Sequence, residues 1–170
     1  MPRELLILRH AKSDWESGAA TDFERPLAKR GRKDAPRVGE WLYREGLIPD
    51  VILSSPAQRA RETALKVCKC LDLSKKDIVW DGDIYEADLH VLLDVLARVP
   101  AAARMVLIVG HNPGFEELLR HLAGGDLEEP NDGKLLPTAA LARLEMPDDW
   151  TELEYGCAAL VGILRPKQLK

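Results

Sequence analysis

Three short, almost unbroken apolar runs constrain this chain most: 4–9 (ELLILR), 50–54 (DVILS) and 105–110 (MVLIVG). A strand carries such a run only when both its faces are covered, which is the habit of parallel sheets held between helices. The stretches between them carry the complementary signal. Val38, Trp41 and Leu42 recur at helical spacing within 34–46, with Asp34 as N-cap, Pro36 in the first turn and Gly46 as the stop. Ser55-Pro56 opens a predicted helix that runs to about Leu71. Leu89, Leu92, Leu93 and Leu96 share one face of a third helix over 88–99, and Phe115, Leu118, Leu119 and Leu122 one face of a fourth over 112–123. A further short strand is expected at 78–80. Segments 138–145 and 154–164 alternate by two and suggest a closing antiparallel pair. The expected fold is α/β: a three-layer sandwich with a mostly parallel central sheet and helices on both faces.

The length of 170 residues fits a single domain over 1–170 that buries a sizeable core. A 46% hydrophobic and 31% charged composition excludes a disordered chain. The net charge of −4 argues against a nucleic-acid partner, which would call for a basic surplus. No apolar run approaches the roughly 20 residues of a membrane span, so no membrane association is expected. Arg3 and Glu4 interrupt the start, which therefore lacks a signal pattern. Cys68, Cys70 and Cys157 are an odd count without metal spacing. They read as free thiols, pointing to a reducing, cytoplasmic location.

Parallel α/β sheets bind ligands at the carboxyl ends of their strands. The first strand ends in Arg9-His10-Ala11-Lys12-Ser13. The second ends at Ser54-Ser55-Pro56, with Arg59 one turn into the next helix. The third ends in Gly110-His111-Asn112-Pro113-Gly114. Singly, a histidine after a strand is commonly structural and a helix arginine commonly solvated. Two of each on one rim point to phosphate chemistry. Arginine offers a rigid, always-charged fork matched to phosphoryl oxygens, and the helix starts after Ser55 and Asn112 add positive dipole ends. A neutral imidazole is a competent nucleophile near neutral pH, and a cationic neighbourhood keeps it neutral. Neither a Walker loop nor a His-Glu-x-x-His pattern is present. Metal-free phosphoryl transfer to a histidine, with no cofactor, is the expectation.

These same residues resemble the histidine phosphatase (phosphoglycerate mutase-like) superfamily, and within it the short SixA-type phosphohistidine phosphatases. The likeness rests on 5–15 (LLILRHAKSDW), 25–35 (RPLAKRGRKDA), 54–64 (SSPAQRARETA), 109–118 (VGHNPGFEEL) and 136–145 (LPTAALARLE), in order along most of the chain. It implies a phosphoglycerate mutase-like fold and a metal-independent phosphatase. It implies His10 as the nucleophile, Arg9 and Arg59 as phosphoryl-binding arginines, and His111 as the second histidine of the pocket. Ser13 is a further candidate phosphate donor. Position 11 is Ala where the wider superfamily has Gly, as in many SixA-type members. The chain is too short for the helical insertion that carries an acid in larger members, which leaves Glu86 as the candidate acid, or as a solvated residue before the cap Asp88. The implied substrate is phosphohistidine on a phosphotransfer or relay protein. A small phosphorylated metabolite is the alternative partner.

Other readings stay open beside this one. A non-catalytic phosphate-binding module on the same fold would need the same rim. A metal hydrolase using His10 and His111 is disfavoured by the adjacent arginines. His90 reads as exposed and His121 as structural. Arg61 reads as solvated or ion-paired. Cys68 and Cys70 diverge on their helix. Trp15 either lines the mouth or packs, while Trp41, Trp80 and Trp150 read as packing. The basic run 29–33 reads as a solvated helix entry, with docking of an acidic partner as the alternative. Loops 14–25 and 124–137 are the places where substrate choice could be tuned.

Overall fold

The computed structural model describes residues 3–169, so positions 1–2 and 170 of the expected domain lie outside the described residues. Six strands form one sheet: β1 (Arg3–Arg9), β2 (Val51–Ser54), β3 (Ile78–Trp80), β4 (Met105–Gly110), β5 (Leu141–Met146) and β6 (Ala159–Leu164). Their order is β3-β2-β4-β1-β5-β6. The first four are parallel, while β5 runs antiparallel to β1, and β6 to β5. Four helices lie between them: α1 (Lys29–Arg44), α2 (Gln58–Cys70), α3 (Leu89–Ala97) and α4 (Gly114–Ala123).

The apolar runs divide by alternation. Leu5 and Ile7 of β1 join α3 and α4 in one core, with Val106, Ile108 and Phe115. Leu6 and Leu8 face the other way, into α1 and α2, with Leu107, Val109, Val38 and Val67. Burying each such side chain contributes about 2 kcal/mol. This two-sided burial is why the strands read as continuous rather than alternating, and the expected three-layer α/β architecture is the one found.

Several expected boundaries move. Helix α1 begins at Lys29, not at Asp34. Asp34 is buried within the helix between Arg30 and Arg37 instead of capping it. Pro36 lies inside the helix rather than in its first turn. The early turns hid because Lys29, Arg30, Arg32 and Lys33 present no apolar face, while small Gly31 is buried. A Cβ on Gly31 would stand 2.2 Å from the Lys12 carbonyl oxygen, so glycine is what lets α1 lie against the loop after β1. Helix α2 begins at Gln58 rather than at Ser55-Pro56, because the backbone at Ala57 is still extended, at φ −56° and ψ 141°; the Ser55 hydroxyl accepts from the Ala57 amide and meets His111. Asp88 caps α3 through the Val91 amide, as expected. β6 starts at Ala159, since 154–158 turn through Gly156 at φ +72°.

Register at the carboxyl ends positions everything that follows. Arg9 pairs with Gly110, the His10 amide donates to the Gly110 carbonyl at 2.9 Å, and the Ser55 amide donates to Val109 at 3.0 Å. The tips of β1, β4 and β2 therefore stand side by side. The chain then leaves through a loop pinned at its base by a Ser13–Leu27 bridge.

Candidate active site

His10 follows β1 directly and is 6% exposed; His111 follows β4 and is 8% exposed. Their ring centroids are 5.2 Å apart at 54°. His10 Nδ1 lies 2.8 Å from the Ala11 carbonyl oxygen. A carbonyl only accepts, so Nδ1 carries the proton and Nε2 keeps its lone pair. Burial, then the charges of His111, Arg59 and Arg9, push His10 down to about 3. Burial and Arg59 push His111 down to about 4. Both rings are thus neutral near pH 7. His111 Nε2 meets Ser55 Oγ at 2.8 Å, and its buried Nδ1 has no partner among the described residues.

Arg9 and the buried Arg59 complete the cluster. Arg9 donates from one terminal nitrogen to the Leu136 carbonyl at 3.1 Å. Asn112 Nδ2 shares that carbonyl and also donates to Glu116, which accepts from the Leu136 amide as well. Glu116 thereby fixes the segment against which Arg9 lies. Burial lowers the Arg9 pKa, with Glu116 opposing. The Nε atoms of Arg9 and Arg59 are buried without partners among the described residues. The two buried Nε–H donors, from two elements, suit an anion, and His111 Nδ1 adds a third donor in the tautomer that carries its proton there.

Arg59 is held from outside by Asp22. Its two terminal nitrogens donate to the Asp22 backbone carbonyl at 2.7 Å and to Oδ2 at 2.9 Å. Asp22 also accepts from Tyr85 Oη at 2.7 Å and from Arg25 at 2.5 Å. The Tyr85 hydrogen bond, with Arg25 and Arg59, holds the Asp22 carboxyl well below the usual carboxylate range. Phe23 packs edge-on against Tyr85, and Tyr85 against His111, at 5.1 and 5.5 Å. A row of rings thus leads from His10 to the surface.

The expected residues separate on this geometry. His10, His111, Arg9 and Arg59 come together. Ser13 is buried, but its hydroxyl accepts from Arg25 Nε at 2.9 Å, so it orients an arginine of the rim. Glu86 is exposed, at φ +59°, and it is the preceding Tyr85 that reaches Asp22. Trp15 is 73% exposed beneath the Arg25 guanidinium, 3.6 Å from the ring centroid. Arg61 is exposed, as expected, and also lies over the Trp80 ring. His90 is exposed, and His121 is tied to the Leu153 carbonyl.

Asp22, Arg25, Tyr85 and Glu116 escaped the sequence reading, as did Thr63, and Ser55 was expected as a helix start, not as a partner of His111. The Thr63 hydroxyl accepts from the Ala11 amide and donates to the Arg59 carbonyl, stitching the loop after β1 to α2. The signal closest to finding Asp22 was the RPL segment three residues on. Among the described residues, no three His, Cys, Asp or Glu side chains are grouped to hold a metal ion, and no helix is long and apolar enough to cross a membrane.

The family model of the histidine phosphatase superfamily (branch 1) matches residues 5–92, just over half of the chain. A Mycobacterium tuberculosis protein of uncharacterised function is 33% identical over 164 residues, covering 94% of this chain and 100% of its own. Phosphoserine phosphatase 1 of Hydrogenobacter thermophilus is 34% identical over 124 residues, covering 66% of this chain and 54% of its own. Among solved structures, a protein assigned as the phosphohistidine phosphatase SixA of Agrobacterium tumefaciens superposes with a TM-score of 0.82 at 29% identity, covering 98% of this chain and 99% of that one. A protein histidine phosphatase SixA complexed with tungstate gives 0.81 at 23% identity, with the same coverage.

Proposed function

We infer that this chain, which belongs to the histidine phosphatase superfamily and is of the SixA type, is a phosphatase that works through a phosphorylated His10 and takes phosphohistidine on a protein as its substrate. The observation that carries the reading is the hydrogen bond from His10 Nδ1 to the Ala11 carbonyl. It fixes the tautomer and leaves Nε2 as a lone pair among buried donors that suit a phosphoryl group.

The chemistry runs in two displacements. His10 Nε2 attacks phosphorus in line, and the leaving group departs on the opposite side with the bonding electrons. Arg9 and Arg59 spread the charge of the equatorial oxygens. If the Ser55 hydroxyl donates to His111 Nε2, the His111 proton sits on Nδ1 and turns toward the same oxygens. Water then attacks phospho-His10. One hydrogen stays on the entering oxygen, the other goes to a phosphate oxygen, and the pair of the P–N bond returns to Nε2.

Phosphohistidine suits this site because its leaving imidazole brings its own proton. A monoester would leave as an alkoxide and demand a strong acid, whereas Asp22 is held ionised and Glu86 is exposed. The tungstate bound by a SixA protein, an oxyanion of phosphate-like charge, agrees with anion binding in this fold. The partner is then a phosphotransfer or relay domain. A small phosphorylated molecule is the second reading, favoured by the likeness to a phosphoserine phosphatase. Two arginines beside the histidines would repel a cation, which supports metal independence, and the unpaired cysteines suit a reducing cytoplasm.

The test is release of phosphate from a histidine-phosphorylated phosphotransfer domain and from a panel of phosphorylated metabolites, with EDTA present. Turnover of the phosphoprotein that is lost in His10→Ala supports the reading. Turnover of metabolites alone moves the function to the second reading. Full turnover by His10→Ala overturns both.

A further inference from the structure

We propose that Asp22 is the specificity-determining residue of this site: its carboxylate receives the N–H of a departing imidazole and so selects P–N over P–O substrates. The inference rests on the phosphatase reading above.

The position follows from in-line geometry. His10 and His111 form the buried floor, and Arg9 and Arg59 supply the donors around phosphorus. The leaving group must stand opposite His10, on the open side. There the side chains grow progressively more exposed: Tyr85 is half-buried, Phe23 is 39% exposed, and the Asp22 side chain is 50% exposed. A cavity of about 300 Å³ opens beyond, lined in part by Trp15, Thr21, Asp22 and Arg25. It gives a substrate's own chain somewhere to lie.

The chemistry of the rim fits a flat cation. Phe23 and Tyr85 present ring surfaces in a T-shaped pair, and an imidazolium stacks on such rings by charge–quadrupole attraction. A carboxylate accepts about four hydrogen bonds. Asp22 has used two positions on Oδ2, for Arg59 and Tyr85, and one on Oδ1, for Arg25. Oδ1 keeps one lone pair.

The bonds balance without an added acid. A phosphohistidine residue phosphorylated on one ring nitrogen carries a proton on the other. His10 Nε2 forms the new P–N bond while the old one breaks. Its electron pair stays on the leaving nitrogen, and the imidazole departs neutral with the proton it brought. Asp22 stabilises the protonated ring before cleavage by accepting that N–H. An alkoxide or phenoxide has no such proton, and its developing negative charge is repelled by Asp22.

Asp22 also holds Arg59, so a simple loss of activity would not separate the roles. Arg59 acts on the phosphoryl group common to all substrates, whereas the leaving group differs. The readout is therefore a ratio: kcat/KM for phosphoimidazole and free phosphohistidine, divided by that for p-nitrophenyl phosphate, in wild type, Asp22→Asn and Asp22→Glu. The expected result is a ratio reduced about tenfold or more in Asp22→Asn, the scale of a lost charge-assisted hydrogen bond at a half-exposed site, with partial recovery in Asp22→Glu. An equal fall on both substrate classes overturns the proposal and leaves Asp22 as a positioning residue for Arg59. Wild type that hydrolyses p-nitrophenyl phosphate but no P–N compound overturns it through the phosphohistidine reading itself, a failure visible before any variant is made.

Discussion

The imidazoles of His10 and His111 stand 5.2 Å apart, yet each is held through a different nitrogen: Nδ1 of His10 on the Ala11 carbonyl, Nε2 of His111 on Ser55 Oγ. The two rings thereby offer opposite faculties to one point in space. One presents a lone pair and the other can present a proton.

Acid should destabilise the fold through this pair. Burial, followed by neighbouring positive charge, brings His10 to about 3 and His111 to about 4, both below the ordinary 6.5. Between these values the unfolded chain binds more protons than the folded one, so stability is intact above about pH 7 and falls as pH drops from about 6.5 toward 4. Urea midpoints at stepped pH should show this fall, and a His10→Gln/His111→Gln variant should show a flatter one. An unchanged slope in the double variant would contradict it.

The same depression keeps His10, the proposed nucleophile, unprotonated in mild acid. The acid limb of kcat/KM in the free enzyme should lie well below 6.5, and rapid-quench labelling of wild type should trap an acid-labile phosphate on His10. A limb at 6.5 that is the same for substrates of different ionisation would refute the buried, neutral nucleophile.

Ser55→Ala tests the proton on His111. Removing a hydrogen bond of about 1 kcal/mol frees the tautomer, and kcat should fall roughly five- to tenfold with little change in KM. Wild-type kcat in this variant would show that Ser55 does not set the proton's place.

Glu86→Gln should change kcat by no more than a few fold, because a general acid contributes about 10²-fold or more and Glu86 is exposed. A hundredfold loss would restore Glu86 as the proton donor.

Gly31→Ala should destabilise the protein by about 1–3 kcal/mol, the usual cost of overpacking, since the new methyl would meet the Lys12 carbonyl oxygen at 2.2 Å. Activity should fall with it, because that carbonyl lies two residues from His10. A thermal midpoint equal to wild type would show that α1 can move away freely.

The strands were legible because double-sided burial leaves an apolar run with no competing reading, as with Leu5 to Leu8. The start of α1 was not, since a basic first turn looks like a loop until Gly31 is seen packed under Lys12. In the site, Arg9, His10 and His111 could be placed because strand tips fix their own position. Asp22 could not: it meets Arg59 across 37 residues of chain from an irregular loop, which carries no period to read. Glu86 drew attention as the residue with acid chemistry, whereas its neighbour Tyr85 holds the rim through a contact 63 residues away.

The pairing of Arg9 with Gly110 has a last consequence. Each histidine is the first residue beyond one of two adjoining parallel strands, so their spacing is inherited from the ladder, about 4.8 Å between neighbours, rather than negotiated by side chains. The floor of the site is therefore a fixed socket. Loop residues 14–21 rise outside the Asp22–Arg59 contact, so exchanging them alone would re-address the protein to a new customer while Asp22 kept its hold on Arg59.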